Sequence, residues 1–308
     1  MHKITGTFPA VLTPVNENFS INKNLFLNHC HNLLKEGVDG LAVFGTTGEA
    51  NSFTVEEKIE VMQFLSNNIK SEFLIPGSGQ CSIKDTVRLT KEFAKLKTKA
   101  ILILPPFFYK NISDDGLINF YRNVIENVAE SDLKYILYHI PQVSGVSFSF
   151  KIIENLIKLY PENIIGMKDS SGDIDNMLKI IKYFDKFSLF SGSDSLALKV
   201  RKHGGAGAIT ATSNICAKLL SFIVKNYTND QQIQEFKFLQ DLLVQIRLTT
   251  FREEPISTLK GFLSLINNNK NWNNVVPPLK KIISPEKNKN ILQLIDLVKK
   301  IDNNLPNT

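Results

Sequence analysis

The chain has 308 residues, 43% of them apolar and 9% aromatic, with 36 Lys and Arg against 30 Asp and Glu. That content supplies one large core or two modest ones and excludes a disordered chain. The net charge of +6 comes from scattered lysines, the longest basic cluster being Lys280-Lys281, which argues against nucleic-acid binding.

No apolar run approaches the roughly 18 to 20 residues that span a bilayer. The longest, Ala100 to Tyr109, holds two prolines. The segment Met1 to Gly6 has neither an apolar h-region nor a small-residue cleavage site, so a cytoplasmic protein is expected. Cys30, Cys81 and Cys216 form no CxxC pair, and their odd count fits neither a disulfide framework nor a zinc site. They read as packing or incidental thiols.

In chain order, short runs rich in Val, Ile, Leu and Phe alternate with stretches of helical spacing. The runs are Phe8 to Thr13, Gly40 to Phe44, Phe73 to Pro76, Ala100 to Leu104, Tyr135 to Ile140, Ile164 to Lys168, Phe187 to Ser191 and Gly207 to Thr210. They are continuous rather than alternating, as expected of parallel strands covered on both faces. Between the second and third, Thr54 and Glu57 form a capping-box pattern, with Val55, Ile59 and Met62 at helical spacing. After Asp173, Ile174, Met177, Leu178 and Ile181 fall on one helical face.

Eight strand-helix units predict an α/β fold of the (β/α)8 barrel class. After Ile215 the strand signal stops, and helices are expected over Gln232 to Leu248, Ile256 to Ile266 and Asn290 to Ile301. The expected division is a catalytic barrel over residues 1–225 and a C-terminal helical appendage, packed on the barrel, over residues 226–308. A doubly wound open sheet is the competing fold, and no Gly-rich dinucleotide fingerprint follows any strand to support it.

In such a barrel, chemistry sits at the carboxyl ends of the strands. Lys168 ends the sixth strand after Ile164-Ile165-Gly166-Met167. Burial there disfavours an ammonium, and a neutral amine attacks ketones to form a Schiff base. The bland alternative is a lysine snorkelling from a strand end. Thr46 and Thr47, between Gly45 and Gly48, offer hydroxyls and approachable amides to a carboxylate or phosphate, or simply satisfy a local turn. Tyr138 can move a proton, though an aromatic in a strand is more often core. His139 alternates with it and should face the helices. His29 and His31 lie two apart on a helix and share no face, so no metal constellation is expected.

Together these residues resemble the dihydrodipicolinate synthase and N-acetylneuraminate lyase family, the class I aldolases that handle pyruvate. The motifs are GTTGE at 45–49, YHIP at 138–141, GMKDSSGD at 166–173, SGSD at 191–194 and GGAGAITATSNI at 204–215, in the family's order. The resemblance implies that Lys168 is the Schiff-base lysine and Tyr138 the proton shuttle. It further implies that Thr46 and Thr47 grip the pyruvate carboxylate, that the Ile209 carbonyl faces the bound pyruvate moiety, and that Gly192 and Asp194 hold aldehyde-derived hydroxyls. No cofactor or metal is implied, and the family analogy is a homotetramer, a dimer of dimers.

Departures from the family pattern qualify the substrate. Synthases of the family place an arginine for the aldehyde carboxylate where Val143 stands here, with Arg201 and Arg252 as candidate substitutes. A relay tyrosine donated by a neighbouring subunit is displaced in Pro105-Pro106-Phe107-Phe108-Tyr109, leaving Tyr109 one residue on. Ser195 stands where sialic acid lyases have an acidic residue. The expectation is a lyase for a 2-keto-3-deoxy sugar acid or hydroxy-keto acid, with Ser193, Asp194 and Ser195 binding hydroxyls and neutral or polyhydroxylated aldehydes preferred over anionic ones. The alternatives are the synthase reaction of pyruvate with aspartate semialdehyde and a catalytically impaired keto-acid-binding protein.

Overall fold

The computed structural model describes residues 3–227 and 233–305. Met1, His2 and Gln232, which entered the expectations above, lie outside the described residues. In chain order the elements are β1 (Gly6–Thr7), α1 (Lys23–Lys35), α2 (Val55–Ser66), α3 (Ile83–Lys95), β2 (Ile101–Ile103), α4 (Asp114–Val128), β3 (Tyr135–His139), α5 (Pro141–Ser144) and α6 (Phe150–Leu159). Then come β4 (Ile164–Asp169), α7 (Ile174–Tyr183), β5 (Ser188–Ser191), α8 (Ala197–Lys202), β6 (Gly207–Ala208) and α9 (Ser213–Asn226). Three further helices follow: α10 (Ile233–Thr250), α11 (Pro255–Ile266) and α12 (Lys289–Asn304). Among the described residues, no helix is long and apolar enough to cross a membrane.

The sheet is parallel throughout, in the order β1-β6-β5-β4-β3-β2. Isolated parallel bridges pair Ala10 with Ala42, Leu41 with Leu74 and Gly77 with Leu102. Two of the expected strands, Gly40 to Phe44 and Phe73 to Pro76, therefore pair by single bridges rather than ladders, and β1 ends before the expected Phe8 start. Pro9 and Pro76 bring no N–H to a ladder, which shortens the pairing around them. The backbone still bonds across: Leu41 N–H donates to Phe73 O at 2.7 Å, and Phe8 N–H to Ala208 O at 2.9 Å.

Helix starts follow the sequence. Thr54 and Glu57 make the reciprocal capping box of α2, and Ser113, Ser149 and Asp173 each accept an amide in the first turn of α4, α6 and α7. The buried stripe of α2 runs through Lys58, Val61, Leu65 and the expected Met62, with the expected Val55 and Ile59 half-buried against the same core. On α7 the buried positions are Met177 and Ile180.

Strand alternation divides the core. Ile136, Tyr138 and Ile140 join Phe8, Ala10, Ala42, Ile75, Leu102, Ile165, Phe190 and Ile209 in one cluster. Tyr135 and Leu137 point the other way, into the larger cluster shared with α1 to α4, α6 and α7. His139 also faces that side, its ring 5.9 Å from Phe148, as its alternation with Tyr138 predicted. A third cluster joins Leu12, Ala197 and Ala208 to the apolar faces of α9 to α12, so the C-terminal helices share a core with the strand ends.

Candidate active site

Register brings the chemistry together. Tyr138 on β3 lies opposite Lys168 on β4, and Lys168 opposite Phe190 on β5. Adjacent parallel strands hold paired residues side by side on one face, so Lys168 Nζ sits 4.1 Å from the centre of the Tyr138 ring. The two side chains are 3% and 4% exposed. The Tyr138 hydroxyl is 3.2 Å from Thr46 Oγ1, completing a line from amine through phenol to the Gly45-Thr46-Thr47-Gly48 turn.

That turn is fixed from behind. Gly48 N–H donates to Gly45 O, Glu49 N–H to Thr46 O, and Thr13 Oγ1 donates to Gly48 O at 2.8 Å. Glu49 takes a left-handed backbone at φ 54° and points its carboxylate inward to Lys260 of α11, both side chains being fully buried. Its second oxygen accepts from Val276 N–H at 2.8 Å, and Lys260 also donates to Asn274 O at 2.9 Å. This pair ties the threonine turn to the C-terminal helices. Breaking a buried ion pair from one side costs about 3 to 5 kcal/mol, whereas replacing both partners with apolar or neutral groups costs far less. Lys260→Met should therefore destabilise the protein by about that amount in chemical denaturation, and Lys260→Met with Glu49→Gln should recover most of it. Equal stability of Lys260→Met and the parent would remove the pair from the account.

A second buried support lies beneath. Asn214 Oδ1 accepts Leu12 N–H at 3.0 Å and the Nε2–H of His29 at 2.9 Å, while its amide donates to Ala10 O at 2.8 Å. Burial pulls the His29 pKa down to about 4. An unfolded histidine titrates near 6.5, so between these values only the unfolded chain takes up the proton, and stability falls as pH drops from about 6.5 toward 4. His139, lowered chiefly by burial against the opposing pull of Asp169, acts in the same direction. His29→Gln should flatten the stability loss between pH 7 and pH 5 by about 2 kcal/mol; an unchanged slope in denaturant titrations at the two pH values would contradict it.

Thr46, Thr47, Tyr138, Lys168, Gly192 and Ile209 line one cavity of about 360 Å³. Gly192 is required there because a Cβ would fall 2.0 Å from Ser170 Oγ. Two sequence-derived site residues are elsewhere. Asp194 is fully buried behind the wall, with neither carboxylate oxygen hydrogen-bonded among the described residues. Tyr109 is 73% exposed, packed edge-on against an equally exposed Phe108, and does not line the cavity. Ser193 and Ser195 bond each other at 2.7 Å rather than lining it.

Sequence reasoning missed the far wall. It is made by Arg247, Phe251, Pro255, Ile256 and Leu259, from α10, α11 and the turn between them, while Gln142, Ser170 and Ala211, from segments the sequence did single out, complete the lining. Of the arginines proposed from sequence, Arg201 is engaged with Val224 O and Gly205 O, and Arg252 with Gln293. Arg247 occupies the cavity instead. Its one sequence sign was its place seven residues after Gln240 on a helix, two turns along the same face; Gln240 itself docks α10 by donating to Asp194 O at 2.8 Å.

Comparison with known proteins gives a consistent picture. The sequence model of the dihydrodipicolinate synthetase family matches residues 3–297. The 4-hydroxy-tetrahydrodipicolinate synthase of Listeria monocytogenes is 34% identical over 238 residues, covering 76% of this chain and 79% of that protein. An N-acetylneuraminate lyase structure from Fusobacterium nucleatum is 28% identical, with a TM-score of 0.84, covering 96% of this chain and 98% of that one. The 4-hydroxy-tetrahydrodipicolinate synthase structure from Methylacidiphilum fumariolicum SolV, at 22% identity, shares the fold with a TM-score of 0.88 over 99% of this chain and all of that one.

Proposed function

Since the chain belongs to the dihydrodipicolinate synthetase family, we propose that it is a class I lyase or aldolase that forms a Schiff base with pyruvate and makes or breaks a carbon-carbon bond of a 2-keto acid. The observation that carries this reading is the buried Lys168 amine over the Tyr138 ring, with Tyr138 reaching Thr46, in one cavity. Lys168 Nζ attacks the keto carbon, C2, and water leaves to give an iminium. The iminium withdraws electrons as a proton leaves C3, giving an enamine. In the synthetic direction the enamine carbon adds to an aldehyde and water then hydrolyses the iminium; cleavage runs the same steps backward. Thr46 and Thr47 hold the carboxylate, the Ile209 carbonyl faces the keto-acid moiety, and Tyr138 carries protons to and from the departing oxygen.

The single bridges at Ala10–Ala42, Leu41–Leu74 and Gly77–Leu102 support closing the parallel strands into a (β/α)8 barrel over residues 1–225, with residues 226–308 as the helical appendage whose α10 and α11 roof the cavity. By family analogy the enzyme is a cytoplasmic homotetramer. Exposed Phe108 and Tyr109 support an interface there.

Condensation of pyruvate with aspartate semialdehyde is the second reading, supported by likeness to the Listeria synthase. A retro-aldol screen of 2-keto-3-deoxy sugar acids and hydroxy-keto acids, reading pyruvate release, run beside that condensation, separates the two. Pyruvate release from none of them, together with no condensation, would overturn the enzyme reading.

A further inference from the structure

We propose that Arg247 sets the acceptor specificity of this site, selecting short aldehydes that end in a carboxylate and carry an otherwise apolar chain. The inference rests on the Schiff-base reading above and goes beyond it in naming the acceptor. It is carried by how the cavity wall is built. Apart from Lys168, which the imine consumes, the one charged side chain lining the cavity among the described residues is Arg247; no Asp or Glu lines it. The surrounding wall is apolar, made by Ile140, Val143, Phe251, Pro255, Ile256 and Leu259.

The guanidinium is positioned but not spent. It stacks 4.2 Å from the centre of the Phe251 ring and lies 3.6 Å from Asp194 Oδ2, too far for a hydrogen bond. Asp194 is fully buried and holds the charge from behind, without filling the donor fork. A guanidinium whose N–H groups make no hydrogen bond among the described residues, beside a low-dielectric wall, is a bidentate carboxylate site. Hydroxyl groups find less. The Ser193 and Ser195 hydroxyls bond each other and Ser191 Oγ donates to Ser193 O, while the Gln142 amide donates to Ser170 O at 2.7 Å, so on the acceptor side a hydroxyl meets the neutral Ser170 side chain, a weaker partner than a guanidinium offers a carboxylate. An ammonium on the acceptor meets no carboxylate in the cavity. The chemistry thus favours an unsubstituted ω-carboxy aldehyde over a sugar aldehyde or an amino aldehyde. In the condensation the enamine C3 of pyruvate bonds the aldehyde carbon, the aldehyde oxygen takes a proton, and hydrolysis frees Lys168.

The test compares kcat/KM for succinic semialdehyde, butanal and aspartate semialdehyde with pyruvate, in the parent enzyme and in Arg247→Gln, Arg247→Lys and the charge-neutral pair Arg247→Gln with Asp194→Asn. The paired variant covers the case in which Arg247→Gln alone strands Asp194 and fails to fold. Each protein is also trapped with pyruvate and borohydride. The parent should prefer succinic semialdehyde to both others. Its preference over butanal should fall roughly 10- to 150-fold in the Gln variants, the worth of a charge-assisted hydrogen bond, and less in Arg247→Lys. A trapped adduct with no preference in the parent, with aspartate semialdehyde preferred, with turnover of no aldehyde, or with preference retained in both Gln variants overturns the assignment of Arg247 and leaves the Schiff base standing. Absence of the adduct in the parent overturns the Schiff-base reading and this inference with it.

Discussion

Replacing Lys168 with alanine should reduce turnover to background, a loss of at least about 10⁴-fold, the scale seen when a covalent nucleophile is removed. The size follows from the position of this amine at the head of the mechanism. Without it there is no iminium, and among the described residues nothing else lining the cavity supplies an electron sink for the bond that must break. Lys168 is 3% exposed and its stem packs beside Tyr138 on β3 and Phe190 on β5, so alanine also leaves a small void. Lys168→Met keeps the stem and removes only the amine. It should fold like the parent and lose as much activity as the alanine variant, measured by steady-state pyruvate release. Activity in Lys168→Met within tenfold of the parent would show that the amine is not the nucleophile.

Removing the hydroxyl of Tyr138 should lower kcat by about 10²- to 10⁴-fold, the usual contribution of a positioned acid-base group. The ring is 4% exposed and fills the strand interior with Ile136 and Ile140, so Tyr138→Phe keeps the packing and the face on which the Lys168 amine rests. What is lost is the oxygen 3.2 Å from Thr46 Oγ1. The effect should fall on kcat and on the rate of imine formation, with stability to denaturant unchanged. A variant with parental kcat would leave Tyr138 as a core residue whose hydroxyl is incidental.

The strand side of the candidate site was legible because its signals are local. A polar residue at the end of an apolar strand, such as Lys168 after Ile164 to Met167, is visible along the chain, and strand alternation separates Tyr138 from His139. The capping box at Thr54 and Glu57 needs only four residues to be read. Short pairings were less legible. The proline positions at Pro9 and Pro76 gave the chemical reason for interrupted ladders, yet continuous apolar runs there read as full strands.

The helical wall was not legible because it is made by tertiary packing. Arg247 sits on an 18-residue helix among Leu243, Ile246 and Thr250, all buried, and sequence gives no measure of which strand ends that face covers. The link between Glu49 and Lys260 spans more than two hundred residues and joins two elements read separately. The expected role of Asp194 came from a motif position. Its carboxylate turned out to lie behind the wall, where it acts on Arg247 rather than lining the cavity.

The most direct measurement is to incubate the enzyme with pyruvate, reduce with borohydride, digest, and locate the adduct by mass spectrometry. The account predicts one modified peptide, with the reduced pyruvyl group on Lys168, and none in Lys168→Met. An adduct on another lysine, or no adduct in the parent enzyme, would contradict it.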